Sequence, residues 1–158
     1  MSTATKPPFV GMAQIVLLQA DQSAVAVLGS CLGLAVYSLR DQCAAFAHTV
    51  LPARDQREGP PGKFIDSAIP AMVELLARAG AAPNRLAAKV AGGASMFRSS
   101  GPIQVGAANA ECVVQLLKEH RIPLAAADFG GHAGRRVVFH CARAQLQVEI
   151  AGASAYAL

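Results

Sequence analysis

Residues 24–51 read AVAVLGSCLGLAVYSLRDQCAAFAHTVL, and this stretch decides the fold. Small and β-branched apolar residues run through it, interrupted by a Gly-Ser pair at 29–30 and a polar turn at 40–42. Such punctuation is typical of consecutive strands joined by tight turns. The sequence therefore predicts three strands, at about 24–28, 32–39 and 44–51.

The flanking sequence adds further strands and two helices. An amphipathic helix is predicted to begin with Asp66 or Ser67 as its cap, to hold Pro70 in its first turn, and to end at Gly80. A second helix is predicted at about 107–120, and the Pro- and Gly-rich segment 52–62 reads as an exposed loop. Further strands are predicted at about 10–19, 87–91, 124–128, 136–141 and 145–150. These elements describe an α/β domain of mixed or largely antiparallel sheets with two main helices.

Length and composition fit one domain, residues 1–158. The chain is 53% hydrophobic and 15% charged and has no Trp, so its core is built from Ala, Val, Leu and Ile. Residues 1–8 are polar and contain proline, which predicts a frayed terminus.

A cytoplasmic protein is expected. The uncharged stretch 22–39 approaches the length of a membrane span, but its glycines and β-branched residues favour strands over a spanning helix. The N-terminus lacks the basic region and apolar core of a secretory signal.

Charge and cysteine spacing narrow the function classes. The net charge of +4 comes from scattered residues, which does not fit nucleic-acid binding; a mixed-sign surface and a surface for an acidic protein partner both remain open. The four cysteines have no CxxC spacing, so neither a zinc site nor a redox pair is indicated. We therefore expect no metal site.

One cysteine and one histidine stand out. Cys31 follows a Gly-Ser turn at the end of a strand, where a sulfur can be exposed and main-chain N–H groups can hold an oxyanion. His48 lies 17 residues later, across the predicted hairpin. The pair fits a nucleophile and its base, although a buried cysteine and a lone strand histidine are each more often structural.

The chain also resembles the CheD family over about residues 10–150. The resemblance rests on segments in the same order and spacing, namely LGSCLGLAVY (28–37), AFAHTVLP (45–52), KFIDSAIPAMVELLARAGA (63–81), LAAKVAGGASMF (86–97), GAAN (106–109) and DFGGHAGRRVVFH (128–140). It implies a CheD-like sandwich fold. It also implies an enzyme that hydrolyses glutamine side chains on chemoreceptor cytoplasmic helices to glutamate, releasing ammonia. CheC-type phosphatases are partners of some members.

The resemblance assigns roles to particular residues. It places the nucleophile on Cys31 and the base on His48, acting through a thioester without a metal or organic cofactor. The family's third residue, a threonine, corresponds here to Val25, whose main-chain carbonyl remains as an acceptor for the imidazole N–H. The positions expected to shape the substrate cleft are Gly29, Ser30, Phe64, Gly93, Ser95 and Asn109.

Two alternatives to the receptor deamidase stay open. A catalytically weak adaptor that binds receptors or a CheC-type phosphatase would follow if Val25 impairs the chemistry. A cysteine hydrolase acting on another amide would share the dyad and differ only in substrate.

Overall fold

The computed structural model describes residues 6–95 and 104–158, which form two β-sheets and two α-helices. The helices are α1 (Ile65–Arg78) and α2 (Val105–Glu119). The strands are β1 (Ile15–Gln19), β2 (Ser23–Leu28), β3 (Leu32–Ser38), β4 (Cys43–Thr49), β5 (Ala87–Gly92), β6 (Leu124–Phe129), β7 (Arg135–His140), β8 (Gln145–Ile150) and β9 (Tyr156–Ala157).

The two sheets confirm the predicted α/β sandwich of mixed and antiparallel strands. The larger sheet has the order β1-β4-β3-β5-β6 and is antiparallel except for the β5–β6 pair. The smaller sheet, β2-β7-β8-β9, is antiparallel throughout. Every residue of β3 and β4 is buried, which explains why these strands read as continuous apolar runs. Nine strands lie within the described ranges; eight of them overlap the eight predicted segments, and the two-residue β9 is too short for sequence periodicity to detect.

The Gly-Ser turn at 29–30 joins two different sheets. β2 pairs with β7, whereas β3 pairs with β4 and β5, so the chain crosses from the smaller to the larger sheet between Leu28 and Leu32. Adjacent strands in sequence most often pair, and the apolar pattern alone did not indicate this crossing. Cys31 therefore lies at an edge of the sandwich, where the two sheets meet.

The larger sheet separates two apolar layers. Its even-numbered β4 residues, such as Phe46, face the smaller sheet, and the Phe46 and Phe139 rings stack there with centroids 6.3 Å apart. Its odd-numbered β4 residues, such as Ala47, pack under both helices. Alternation of this kind fixes the face on which each site residue points.

Helix boundaries differ from the prediction in two respects. Phe64, in an extended conformation, occupies the N-cap of α1, whereas Asp66 and Ser67 lie inside the first turn. The Asp66 carboxylate instead accepts the Arg54 N–H, so the polar side chain that suggested a cap serves the preceding loop. Pro70 consequently lies beyond the first turn rather than in it. The predicted end holds, because α1 stops at Arg78 and Gly80 adopts a positive φ just after it.

The N-terminal segment is not a simple strand. β1 begins at Ile15 rather than at 10, because Phe9 bridges to Val25 of β2 before the chain turns toward β1. Pro8 already accepts the Val25 N–H, so part of the predicted frayed terminus is tied to β2; residues 1–5 lie outside the described part of the chain. Within the described ranges, no helix has the length and apolar character needed to span a membrane.

Candidate active site

Cys31 and His48 lie on the same face of the larger sheet. In the β3–β4 register, His48 is opposite Gly33, and both face the smaller sheet. The Gly93 N–H donates to the Cys31 carbonyl at 3.1 Å, which continues the β3–β5 pairing by one residue beyond Leu32. Because Cys31 precedes Gly33 by two residues, strand alternation places it on that face, diagonal to His48. Diagonal neighbours of an antiparallel pair have Cα atoms about 7–8 Å apart, within reach of an imidazole and a thiol.

The His48 ring is held by a main-chain carbonyl. His48 is buried, and its Nδ1 lies 3.0 Å from the carbonyl oxygen of Val10. A carbonyl only accepts, so Nδ1 carries the proton and Nε2 keeps the lone pair that a base needs. The His48 main chain is also bonded to the same segment, through the Ala13 N–H and the Gln14 carbonyl. The N-terminal segment therefore fixes both the backbone and the tautomer of the histidine.

Val25 does not occupy the place expected of it. Its carbonyl accepts the Val10 N–H at 2.7 Å, and the acceptor next to His48 belongs to Val10 instead. Sequence reasoning missed Val10 because a main-chain acceptor leaves no signature in residue type. The sequence signal at Val10 is an apolar residue just after the polar, proline-containing segment 1–8, and the structure buries it completely.

Two hydroxyl-bearing residues near these strands, Ser23 and Thr49, are not partners of His48 Nδ1. The Ser23 hydroxyl is 2.9 Å from His140 Nδ1, at the far end of β2. The Thr49 side chain faces the opposite side of the sheet from His48, since the two residues are adjacent in β4.

The environment of Cys31 keeps its thiol protonated. Cys31 is half-buried, and this burial raises its pKa above the ordinary thiol value. A nearby base is therefore needed to take the proton as the sulfur attacks. Among the described residues, the N–H groups of Ser30 and Cys31 donate to no acceptor, so both stay available to an oxyanion.

The turn that carries Cys31 is held by the end of β5. In addition to the Gly93 bond, the Ala94 N–H donates to the Gly29 carbonyl at 3.0 Å. Gly92 has a φ of +123°, and a Cβ there would overlap the Cys31 carbonyl oxygen. Only glycine allows the main chain of β5 to approach the Cys31 turn this closely.

Asn109 connects this turn to the strand that carries His48. Its Nδ2 donates to the Ser30 carbonyl at 3.0 Å and to the Val50 carbonyl at 2.9 Å, and the side chain is completely buried. Both amide hydrogens are thus used within the protein, which favours positioning over substrate contact. The sequence signal that identifies it is a polar residue in the buried stripe of α2, with Gly106, Val113 and Leu117.

The other expected cleft residues are distributed differently. Gly29, Ser30 and Ser95 are partly exposed, with the Ser95 N–H bonded to the Gly131 carbonyl at 2.9 Å. Phe64 is fully buried, and its ring is covered by three cationic groups, those of Arg57 at 5.1 Å, Lys63 at 5.6 Å and Arg54 at 5.9 Å from its centroid. Phe64 thus supports the loop after β4 rather than lining an open surface.

Arg135 holds the late glycine-rich loop, residues 130–134, beside the Cys31 turn. The guanidinium is buried, forms an ion pair with Asp128 at 3.3 Å and also donates to the Asp128 and Gly130 carbonyls. The Gly130 N–H in turn donates to the Gly92 carbonyl at 3.0 Å. A chain of contacts therefore runs from Arg135 through Gly92 to the Cys31 turn.

The remaining cysteines are free thiols outside the site. Cys43 and Cys141 are buried core residues, and Cys112 is half-buried on α2. Within residues 6–95 and 104–158, no three His, Cys, Asp or Glu side chains lie close enough to share a metal ion.

Comparison with known proteins identifies the family. The profile of the family described as "CheD chemotactic sensory transduction" matches residues 50–150. The chain is 46% identical to the "Probable chemoreceptor glutamine deamidase CheD" of Symbiobacterium thermophilum over 114 residues, which is 68% of this chain and 69% of that protein. It is 40% identical to the "Chemoreceptor glutamine deamidase CheD" of Thermotoga maritima over 125 residues, 79% of either chain. A protein of Clostridium botulinum with the first of these names is 38% identical over 130 residues, 79% of this chain and 80% of its own length. Because the family model matches more than half of the chain and relatives at 38–46% identity cover at least two thirds of it, the chain belongs to the CheD family.

Proposed function

We propose that this protein is a chemoreceptor glutamine deamidase that uses Cys31 as nucleophile and His48 as general base. The observation that carries the proposal is the His48 ring itself. Its Nδ1 is bonded to a main-chain carbonyl, which leaves Nε2 basic on the face of the sheet that also holds Cys31. The Thermotoga maritima relative, at 40% identity, bears the name of this activity.

The reaction follows from the two side chains. His48 Nε2 takes the thiol proton as Cys31 Sγ bonds to the carboxamide carbon of a glutamine side chain, which gives a tetrahedral intermediate. The imidazolium then donates that proton to the departing nitrogen, so that ammonia leaves and a thioester remains. Water attacks the thioester with His48 again as base, and the products are glutamate and the free Cys31 thiol.

Main-chain N–H groups would stabilise the intermediate. Those of Ser30 and Cys31 are unbonded within the described residues and belong to the turn that carries the sulfur. Removal of a single donor of this kind from an acyl-transfer enzyme costs about 100- to 1,000-fold in kcat. This arrangement explains why the turn must be held rigidly by β5.

The surface around the dyad fits a protein substrate. Phe9 and Met12 are 63% and 67% exposed, and they flank the Val10 residue that contacts His48. Exposed apolar residues beside a site suit the apolar face of an amphipathic helix. We take the substrate to be a glutamine on a chemoreceptor cytoplasmic helix, the location to be the cytoplasm, and a CheC-type phosphatase to be a further partner.

The test is deamidation of a purified chemoreceptor cytoplasmic fragment. Ammonia release and the mass increase from amide to acid would be followed for the wild type and for Cys31→Ala, His48→Ala and Cys112→Ala. We expect the first two variants to be inactive and the third to match the wild type, because Cys112 is a half-buried thiol outside the site. Activity that survives Cys31→Ala would refute the mechanism.

An adaptor is the second candidate, and the valine at position 25 is the observation that favours it. A wild-type protein that binds the receptor fragment but releases no ammonia would support this alternative. The acceptor supplied by Val10 argues for the enzyme, since the histidine does not need a side chain at position 25 for its orientation.

A further inference from the structure

We infer that Asn109 is a positioning residue that sets the geometry between the Cys31 thiol and the His48 imidazole. The inference rests on the proposed function. The side chain reaches both strands of the dyad at their ends, with Nδ2 donating to Ser30, which immediately precedes Cys31, and to Val50, which lies two residues after His48.

Nothing else among the described contacts joins these two segments in the same way. The last pair of the β3–β4 ladder on this side is Leu32 with Thr49, so Ser30 and Val50 both lie just beyond the ladder. The ladder fixes Gly33 against His48, but the Gly-Ser-Cys turn has left it. One amide group with two donors spans the gap and replaces the missing ladder bonds.

Asn109 is itself held in place without freedom to adjust. α2 packs so closely on β5 that a Cβ at Gly106 would lie 2.5 Å from the main-chain oxygens of both Gly93 and Ala94. This contact fixes the first turn of α2 relative to the Cys31 turn, and the Asn109 side chain is completely buried. A rigid donor on a rigid helix is the arrangement that a site needs to keep its reacting groups aligned.

Burial makes the two hydrogen bonds costly to lose. A buried carbonyl without its donor loses its compensation for desolvation, so the Ser30 and Val50 carbonyls would shift toward other donors if the amide were removed. Displacement of the nucleophile by about 1 Å is enough to lower an enzymatic rate by about 100-fold. Removal of Asn109 is therefore expected to affect the chemical step rather than substrate binding.

Two variants at this position and one control separate positioning from general stability. Asn109→Leu has similar volume and no donors, while Asn109→Asp keeps the shape and loses both N–H groups, so at least one is expected to fold. The control, Val113→Ala, removes buried apolar volume from the same face of α2, one turn away. On a receptor fragment, we expect kcat of the Asn109 variants to fall by about 10- to 100-fold with KM within about twofold, and Val113→Ala to keep its kcat.

A second readout needs no receptor and tests the coupling directly. The rate of Cys31 alkylation by iodoacetamide at neutral pH would be measured for the wild type, for Asn109→Asp, for His48→Ala and for the double variant, each with Cys112→Ala to remove the other partly exposed thiol. If Asn109 acts through the dyad, the double variant reacts as slowly as His48→Ala alone.

The outcomes are distinguishable. Fully additive losses in alkylation rate, or a loss of kcat in the Asn109 variants no larger than that of Val113→Ala, would overturn the positioning role and leave the deamidase intact. An alkylation rate unaffected by His48→Ala would overturn the dyad and the positioning role together. Coupling in the alkylation cycle without ammonia release from any receptor fragment would uphold the positioning role and reject the proposed substrate.

Discussion

His48 Nδ1 lies 3.0 Å from the carbonyl oxygen of Val10, and the Val10 N–H in turn donates to the carbonyl of Val25 at 2.7 Å. The position at which the CheD family resemblance expects a threonine is thus linked to the histidine through the main chain of Val10, whose N–H and carbonyl belong to successive peptide units. This relationship separates the effect of the side chain at position 25 from that of the main chain at position 10.

Substitution at Val25 should have little effect on activity. Val25→Thr is expected to change kcat/KM by less than about threefold, because the orienting acceptor for His48 is a main-chain carbonyl of another residue. Val10→Pro removes the N–H that holds Val10 against the Val25 carbonyl, and we expect a loss of about 10- to 100-fold in kcat/KM. Receptor deamidation kinetics would measure both. A tenfold gain in Val25→Thr would mean that the hydroxyl, not the Val10 carbonyl, is the natural orienter.

The pH dependence of Cys31 alkylation should reflect its burial. Burial raises the pKa of the Cys31 thiol, so its thiolate fraction at neutral pH lies below that of a free cysteine. The alkylation rate of a protein carrying Cys112→Ala should therefore keep rising at pH values above the pKa of a free thiol. Iodoacetamide rates between pH 5 and pH 10 would show this, with free cysteine as the reference. A plateau reached below about pH 7 would indicate a preformed thiolate–imidazolium pair instead.

Gly92 should be needed for activity because of its close contact with Cys31, in addition to its positive φ. Gly92→Ala places a Cβ against the Cys31 carbonyl at a φ of +123°, so we expect a loss of at least tenfold in kcat and of about 1–3 kcal/mol in the free energy of unfolding. Gly80→Ala is the matched control, since Gly80 has a φ of +96° with open space around it. The control should lose about 1 kcal/mol of stability and no activity. Equal activity losses in the two variants would contradict the proposed contact between β5 and the Cys31 turn.

Adjacent arginines of β7 should differ in their contribution to stability. Arg135→Met leaves Asp128 and two main-chain carbonyls without their buried donor, which should lower the free energy of unfolding by about 3 kcal/mol. Arg136→Met removes an ion pair in which the arginine side chain is 49% exposed, so the expected change is below about 1 kcal/mol. Urea unfolding of the two variants would measure both values. Equal stabilities would show that the Arg135 network does not hold the late glycine-rich loop.

Sequence alone determined the secondary structure of the candidate site and indicated its two proposed reacting residues, Cys31 and His48. Strand periodicity and turn residues predicted β3 and β4, and with them the hairpin that brings His48 back toward Cys31. These are local properties, because alternation and turn preference depend on neighbours within a few residues. The helices were predicted to within a few residues, although the cap of α1 was wrong because Asp66 bonds to the loop before the helix.

Tertiary structure alone decided how the dyad is held. The chain crosses between sheets after β2, which pairs with the distant β7. The Val10 carbonyl contacts His48, and Asn109 donates to Ser30 and Val50. These hydrogen bonds join segments that are distant in sequence. Their acceptors are main-chain carbonyls, which every residue carries and which therefore leave no trace in residue type. The sequence could indicate a candidate nucleophile and base because these roles depend on side-chain type, whereas the groups that orient the two side chains depend on where the folded backbone passes.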